Sequence, residues 1–395
     1  MKVIILEGNT LGYGFVRSLG IMNIRSTVLY NSRTEMARMS KYVEESFKCP
    51  AFSDYYNLSR FLINKKGIWK GALLLPTNDP QIECLAKYKE ELSKHFIVPI
   101  PDYQTVKLFL DKKETYTIAG KAGIQYPFTI YPEYISDVKK HYNKINYPVM
   151  IKPRERHKFY NIFGRKLFIA NNKKELINKL GICFTGNLNV MITEIIPGPD
   201  TNLYSYNFYI DRNRKELAGI CQQKLRQAPP NFGVGRVTKT VANQEIVKLS
   251  TQLLKYLPGF YGSGNIEFKL DLRDNTYKLM EMNGRPILQN RLFTKAGVNF
   301  PYILYQDWVN NESVKTSNYT KELYWINLCD DLCYSLFNQA NENYNISEYL
   351  KPYIKNSIFA LESISDPMPM VYFWVSNIAK IYNFVVNKEY KMNFY

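Results

Sequence analysis

The chain has 395 residues, more than one hydrophobic core organises, so two or three packed units are expected. Apolar residues make up 46% and charged residues 22%, which excludes a disordered chain, and 32 Tyr with 22 Phe is a generous aromatic share. The formal net charge of +17 draws the chain toward anions, whether nucleotide phosphates, a nucleotide-linked substrate, nucleic acid or anionic lipid, and does not by itself choose among them.

Six cysteines without a CxxC pair and only three histidines argue against a zinc site. No apolar run approaches the roughly 20 residues that span a bilayer. Residues 1–10 are broken at once by Glu7, unlike a secretory signal. A cytoplasmic, reduced protein is the expectation.

Residues 2–6 read as a buried strand, Gly8, Gly12 and Gly14 as a tight turn, and a helix is expected to begin near Phe15. The turn lacks the third glycine of a dinucleotide fingerprint and a placed acidic partner, so a strand-to-helix turn that needs small residues is the better account. Residues 27–30 and 71–75 continue as strands, and Asn78 or Asp79 caps the next helix. A parallel sheet with flanking helices fits this opening as far as about Pro101.

From Leu110 the texture changes to a Lys-rich helix, Pro127, and an apolar strand over residues 147–152, where a second unit begins. Later strands are expected over 190–193, 201–210, 264–270 and 277–282, with helices over 243–256 and 299–309, an α+β pattern. Beyond Trp308 the chain reads as a helical, aromatic appendage. The expected division is an α/β domain over 1–108, a small lobe over 109–190, a large lobe over 191–310 and the helical appendage over 311–395.

Two late strands concentrate the chemistry. Residues two apart on a strand share a face, so Glu281, Asn283 and Arg285 are expected to project together while Met280 and Met282 face a core; a hairpin with the preceding strand adds Glu267. Two carboxylates and an amide oxygen suit magnesium shared with phosphate oxygens, and Arg285 suits a phosphoryl group. A solvated strand face with charge pairs accounts for the same four residues equally well. Lys152 closes an apolar strand, where an ammonium is costly unless it meets an anion; a lysine snorkelling past Pro153 is the alternative. Residues 193–197 stop at Pro-Gly-Pro-Asp200, a segment whose backbone suits an adenine edge.

The succession of Leu110-Asp-Lys112, Ala122-Gly-Ile124, Tyr147-Pro-Val-Met-Ile-Lys152, Glu194-Ile-Ile-Pro-Gly198, Glu267 and Glu281-Met-Asn283-Gly-Arg285 resembles the ATP-grasp superfamily over roughly residues 1–300. The resemblance implies a Rossmann-like pre-ATP-grasp domain followed by a two-lobed ATP-grasp fold. It further implies that Lys112 and Lys152 hold ATP phosphates, the Glu194 and Ile196 backbones the adenine edge and Asp200 the ribose. Glu267, Glu281 and Asn283 would hold Mg2+, and Arg285 with Lys152 would carry the catalytic charge stabilisation. Cys221-Gln-Gln-Lys224-Leu-Arg226 resembles the carboxylate-amine ligase branch that includes D-aspartate ligase, which implies that Lys224 and Arg226 face phosphates or the acceptor carboxylate; a solvated strand edge is the alternative. One departure is the loop over 154–166, which keeps a single glycine, Gly164, where many relatives are glycine-rich. His157 in that loop is read as a surface histidine.

The reaction so implied is activation of a small-molecule carboxylate as an acyl phosphate and its condensation with an amine. Carboxylation through carboxyphosphate and a silent ATP-binding scaffold are the other readings, and no dedicated nucleic-acid site is expected because basic residues are spread along the chain. Near the end, Val371, Trp374, Val375, Ile378, Ile381, Tyr382 and Val385 recur at helical spacing. Packing on the protein's own core is expected for this stripe; peripheral contact with an anionic membrane, aided by Lys380, Lys388 and Lys391, is the alternative.

Overall fold

The computed structural model describes residues 1–154, 159, 162–164, 167–316, 318–337 and 345–387. His157, Lys388, Lys391 and the side chain of Val385 lie outside the described residues. The chain divides into two compact units built from interleaved segments: Met1–Leu110, Pro199–Glu267 and Met282–Tyr395 form one, Asp111–Gly198 and Phe268–Glu281 the other.

The first unit opens with β1 (Val3–Leu6), buried along its whole length. It pairs in parallel with β2 (Ser26–Tyr30) and β4 (Leu73–Pro76), and β3 (Val43–Lys48) completes the order β3-β2-β1-β4. Such a sheet needs cover on both faces. Val3 and Ile5 enter a core with Phe15 and Val16, whereas Ile4 and Leu6 enter another with Leu58, Leu62 and Leu85. Helix α1 (Thr10–Gly20) starts five residues before Phe15, because the Asn9 side chain accepts the Gly12 amide and caps it there. Gly12 is required by a close approach: a Cβ on it would lie 2.0 Å from the Glu7 carbonyl oxygen. Helix α2 (Asp79–Lys87) is capped by Asn78 in a reciprocal box with Gln81.

In the second unit, α3 (Lys112–Lys121) is capped by the Asp111 carboxylate. Strands β5 (Thr129–Ile130), β6 (Val149–Pro153), β7 (Phe168–Ala170) and β8 (Val190–Glu194) form an antiparallel sheet in the order β5-β8-β6-β7. Leu176, Leu180 and Cys183 of α4 (Lys173–Thr185) close the core over Val149, Ile151 and Val190.

Returning to the first unit, the chain builds β9 (Leu203–Ile210), β10 (Glu216–Ala228) and β11 (Val234–Val241), paired antiparallel in succession. Strands β12 (Gly262–Asp271) and β13 (Thr276–Asn283) follow, and the unit boundary falls inside each, after Glu267 and after Glu281. The sheet order is β13-β12-β9-β10-β11-β14-β15, with β14 (Tyr324–Ile326) and β15 (Ser357–Phe359) contributed from near the end of the chain.

Three sequence expectations change. Residues 311–395 are not helical alone: besides α5 (Leu328–Phe337), α6 (Ile346–Ile354) and α7 (Met368–Asn387), they supply β14 and β15, three residues each and too short to show alternation. The helix expected over 299–309 is Phe300–Tyr305 followed by a π turn over Gln306–Asn310. The apolar stripe of α7 is two faces rather than one packed face. Phe373 is buried, and Trp374 and Ile381 rest half-buried against the same core. Val371, Val375, Ile378, Tyr382 and Val386 are exposed instead.

Candidate functional site

The residues singled out in the sequence divide between the two units, and each group is held by its own unit. In the first unit, Glu267 lies on β12 and its carboxylate meets the Lys224 ammonium of β10 at 2.7 Å; both side chains are mostly buried. Asn265, two residues earlier and therefore on the same face, donates to the Asn207 side-chain oxygen on β9 at 2.9 Å. The Asn283 amide donates to Asn265 at 3.3 Å. An asparagine relay across β13, β12 and β9 thus fixes which way Asn283 presents its oxygen.

Arg285 does not share the strand with Glu281 and Asn283, because β13 ends at Asn283. It sits in the bend beyond, where Asp79, the first residue of α2, takes its Nε at 2.6 Å and its Nη2 at 3.3 Å. A two-point clamp of this kind orients a guanidinium more sharply than a single bond. On the expected core face Met282 is buried and Met280 is half-buried.

Asp200 accepts the Gln227 backbone amide at 3.0 Å and its side-chain amide at 2.7 Å, so its carboxylate anchors the end of β10. Arg226 is buried and gives Nε and Nη2 to Asp331 of α5 at 2.8 and 2.7 Å, with its guanidinium 4.4 Å from the Tyr349 ring centre. Its neighbour but one, Lys224, turns to Glu267. The pair Lys224 and Arg226 therefore serves two different environments.

In the second unit, Lys112 at the start of α3 lies 3.4 Å from the Glu281 carboxylate, both side chains about one-third exposed. Beside them, Tyr116 donates to the Met280 carbonyl at 3.2 Å; burial first, then the Glu281 charge, pushes its phenol upward. Lys152 is half-buried on β6, directly across from Met191 of β8. Glu194 ends β8 with its carboxylate on Arg273 at 2.7 Å and its backbone amide on the Phe128 carbonyl at 2.9 Å. Arg273 also grips Asp271, whose carboxyl that hydrogen bond, against burial and with help from Lys278, holds far below the usual range. Ile196 is buried. Lys269, not singled out in the sequence, reaches the Gly198 carbonyl at 2.9 Å and so ties the segment after β8 to β12.

Glu267, Glu281 and the Asn283 amide are hard oxygen donors, and among the described residues no group of three His, Cys, Asp or Glu side chains is gathered to hold an ion unaided. Glu267 and Asn283 belong to the first unit and Glu281 to the second; as donor types, carboxylates and an amide oxygen suit Mg2+ that completes its shell with phosphate oxygens and water.

No protein-family model matches the chain. In sequence it is similar to D-aspartate ligase from Enterococcus faecium, 25% identical over 260 residues. That match covers 63% of this chain and 62% of the relative, so less than two thirds of the relative's length is spanned. In structure it is similar to N5-carboxyaminoimidazole synthetase from Staphylococcus aureus complexed with ADP, with a TM-score of 0.64, 17% identity and 86% of each chain covered. The biotin carboxylase domain of 2-oxoglutarate carboxylase from Hydrogenobacter thermophilus, in complex with MgADP, has a TM-score of 0.65, 17% identity, and covers 82% of this chain and 73% of that one. L-amino acid ligase from Bacillus licheniformis has a TM-score of 0.58 and 19% identity, covering 78% and 73%. These likenesses establish the fold.

Proposed function

We propose that this ATP-grasp chain, similar to carboxylate-amine ligases, uses ATP and Mg2+ to activate a carboxylate as an acyl phosphate and to join it to an amine, releasing ADP and phosphate. One observation carries the reading. Each carboxylate assigned to the metal is paired with a lysine assigned to phosphate or substrate: Glu267 with Lys224, and Glu281 with Lys112. A magnesium nucleotide offers the carboxylates a cation and the lysines an anion, so exchange of partners keeps every charge compensated.

In this reading Glu267, Glu281 and Asn283 hold the magnesium, which when bound neutralises charge developing on the phosphates. Lys112 and Lys152 bind the polyphosphate, and the chain after β8, from Glu194 through Ile196 to Asp200, lies along the nucleoside. A substrate carboxylate oxygen attacks the γ-phosphorus and ADP leaves; the amine nitrogen then attacks the acyl carbon, phosphate leaves and the amine gives up a proton. Arg285, aligned by Asp79, stabilises the transferred phosphoryl oxygens. Lys224 is released from Glu267 to face the acyl phosphate, whereas Arg226 keeps β10 in place through Asp331. The pre-ATP-grasp role belongs to the opening parallel sheet, and the lobes to the segments after it.

The substrates are small, and the relative's name makes aspartate the first carboxylate to try. The test is Mg2+-dependent ATP turnover against panels of carboxylates and amines, with hydroxylamine as a trap. ADP, phosphate and a hydroxamate are expected; AMP with pyrophosphate would overturn the reading. Carboxylation through carboxyphosphate stays beside it because one of the similar structures is a carboxylase domain by name; ADP release that requires bicarbonate would favour that reaction.

A further inference from the structure

The outward face of α7 plays no part in the site above. Val371, Val375, Ile378, Tyr382 and Val386 follow one another at three- or four-residue steps and so form one lengthwise stripe. Each is between 44% and 69% exposed. The opposite face is already packed, with Phe373 and Asn377 buried, so the stripe is not the helix's own route into the core. Contiguous apolar surface of this kind marks an interaction site.

The surroundings name the chemistry of the partner. Tyr372, at the border of the stripe, donates its hydroxyl to the Arg33 carbonyl and carries the Arg38 guanidinium 5.1 Å from its ring centre. Asp366, just before α7, accepts the Lys41 amide at 3.1 Å. Residues 33–41 therefore lie against the start of the helix and bring Arg33, Arg38 and Lys41 there; Lys380 is exposed too, but follows Phe373 by seven residues and so lies on the face away from the stripe. The acidic side chains of residues 31–42 and 366–387 are Glu35 and Asp366, and both are buried. Glu35 takes backbone amides of Gly8, Asn31 and Ser32, and Asp366 takes Ser40, Lys41 and Arg17. Within residues 31–42 and 366–387 what faces outward is an apolar stripe with cations at the start of the helix, and exposed acid begins again at Glu44 and Glu45.

We propose that α7 docks on the surface of an anionic bilayer, its stripe in the acyl boundary and Arg33 and Lys41 against lipid phosphates. An apolar helix face with a basic edge is the pattern of interfacial binding, and Tyr382 places an amphipathic ring at that depth. No helix among the described residues is long and apolar enough to cross the membrane, so the contact is peripheral. A second copy fits the same face less well, since copies meeting there bring cationic flanks together.

The test uses the full chain and vesicles of phosphatidylcholine with and without phosphatidylglycerol, at low and physiological salt. Cosedimentation is expected with the anionic vesicles, weaker at the higher salt and at least about tenfold weaker on phosphatidylcholine alone. Val375→Asp and Ile378→Asp, at exposed positions, are expected to lose at least about tenfold in binding with an unchanged thermal midpoint. Arg33→Glu with Lys41→Glu is expected to abolish the preference for anionic lipid. Absence of binding at low salt overturns the proposal, as does binding that survives Ile378→Asp. A dimer in solution that Ile378→Asp converts to monomer, without vesicle binding, assigns the face to self-association instead.

Discussion

Replacing Asp331 by asparagine tests how the middle of the chain is held. Its Oδ1 accepts Nε of Arg226 at 2.8 Å and Nε of Arg236 at 2.9 Å, and its Oδ2 accepts Nη2 of Arg226 at 2.7 Å and the Tyr353 hydroxyl at 2.6 Å. The side chains of Asp331 and Arg236 have no exposed surface, and that of Arg226 is 4% exposed. Burial pushes the Asp331 carboxyl up, but the Arg226 and Arg236 charges and the Tyr353 hydrogen bond outweigh it and hold the group below the ordinary carboxylate range. Asp331→Asn keeps the volume, removes the charge and turns an amide donor toward guanidinium donors. Removing one partner of a buried ion pair costs about 3–5 kcal/mol. Two guanidiniums lose this charge while Arg236 keeps that of Asp330 nearby, so a cost within this range is expected, against a total stability of about 5–15 kcal/mol for a typical domain. Urea unfolding of the full chain, followed by tryptophan fluorescence, measures it near neutral pH. A loss below about 1 kcal/mol would refute the reasoning, since a surface pair costs that much. The pH dependence supplies a second check. A carboxylate with a depressed pKa contributes stability above its unfolded pKa and loses it as pH falls, so the wild-type and variant curves should converge in acid; an undiminished gap at about pH 3 would mean that shape, not charge, is at work.

Glu281→Gln is expected to abolish Mg2+-dependent ATP turnover while leaving the unfolding midpoint in place; unchanged turnover removes Glu281 from the metal site. Lys224→Met is expected to act on turnover and Arg226→Met on stability, and the reverse assignment would contradict the division between these two residues. Burial, then the Glu35 charge, pushes the Glu7 carboxyl up to about 7. Its contribution to stability is present below the ordinary carboxylate range and lost as pH rises through about 7, so Glu7→Gln should flatten the wild-type decline between about pH 5 and 8; an identical slope in the variant falsifies this. Gly12→Ala forces a Cβ against the Glu7 carbonyl and is expected to cost about 1–3 kcal/mol, read by thermal unfolding.

The opening parallel sheet was legible because continuous apolar runs such as residues 3–6 leave little choice of element, and because Asn78 sits where a cap is needed. The lysine and carboxylate sets were legible as types in order along the chain. Their pairings were not: nothing in the spacing of Glu267 and Lys224, on strands that are not adjacent in the sheet, announces a 2.7 Å contact. Asp79 as the clamp on Arg285 lies 206 residues away in sequence, beyond any periodic signal. The signal that was available and unused is Asn265, which shares a strand face with Glu267. Arg226 was read as a ligand residue through the resemblance of residues 221–226; the anion it meets is Asp331, supplied by a helix read as part of an appendage.

Arg226 and Arg236 precede Asp331 by 105 and 95 residues, which sets an order of events at the ribosome. Translation at about 5–20 residues per second leaves both guanidiniums, and the β11 edge that β14 later covers, without their partners for several seconds after they emerge. The second unit is complete in sequence at Glu281, so it is free to form while the first waits. Nascent chains stalled within that interval carry an open sheet edge and two arginines still waiting for Asp331, and these are the forms in which chaperone dependence and aggregation should concentrate.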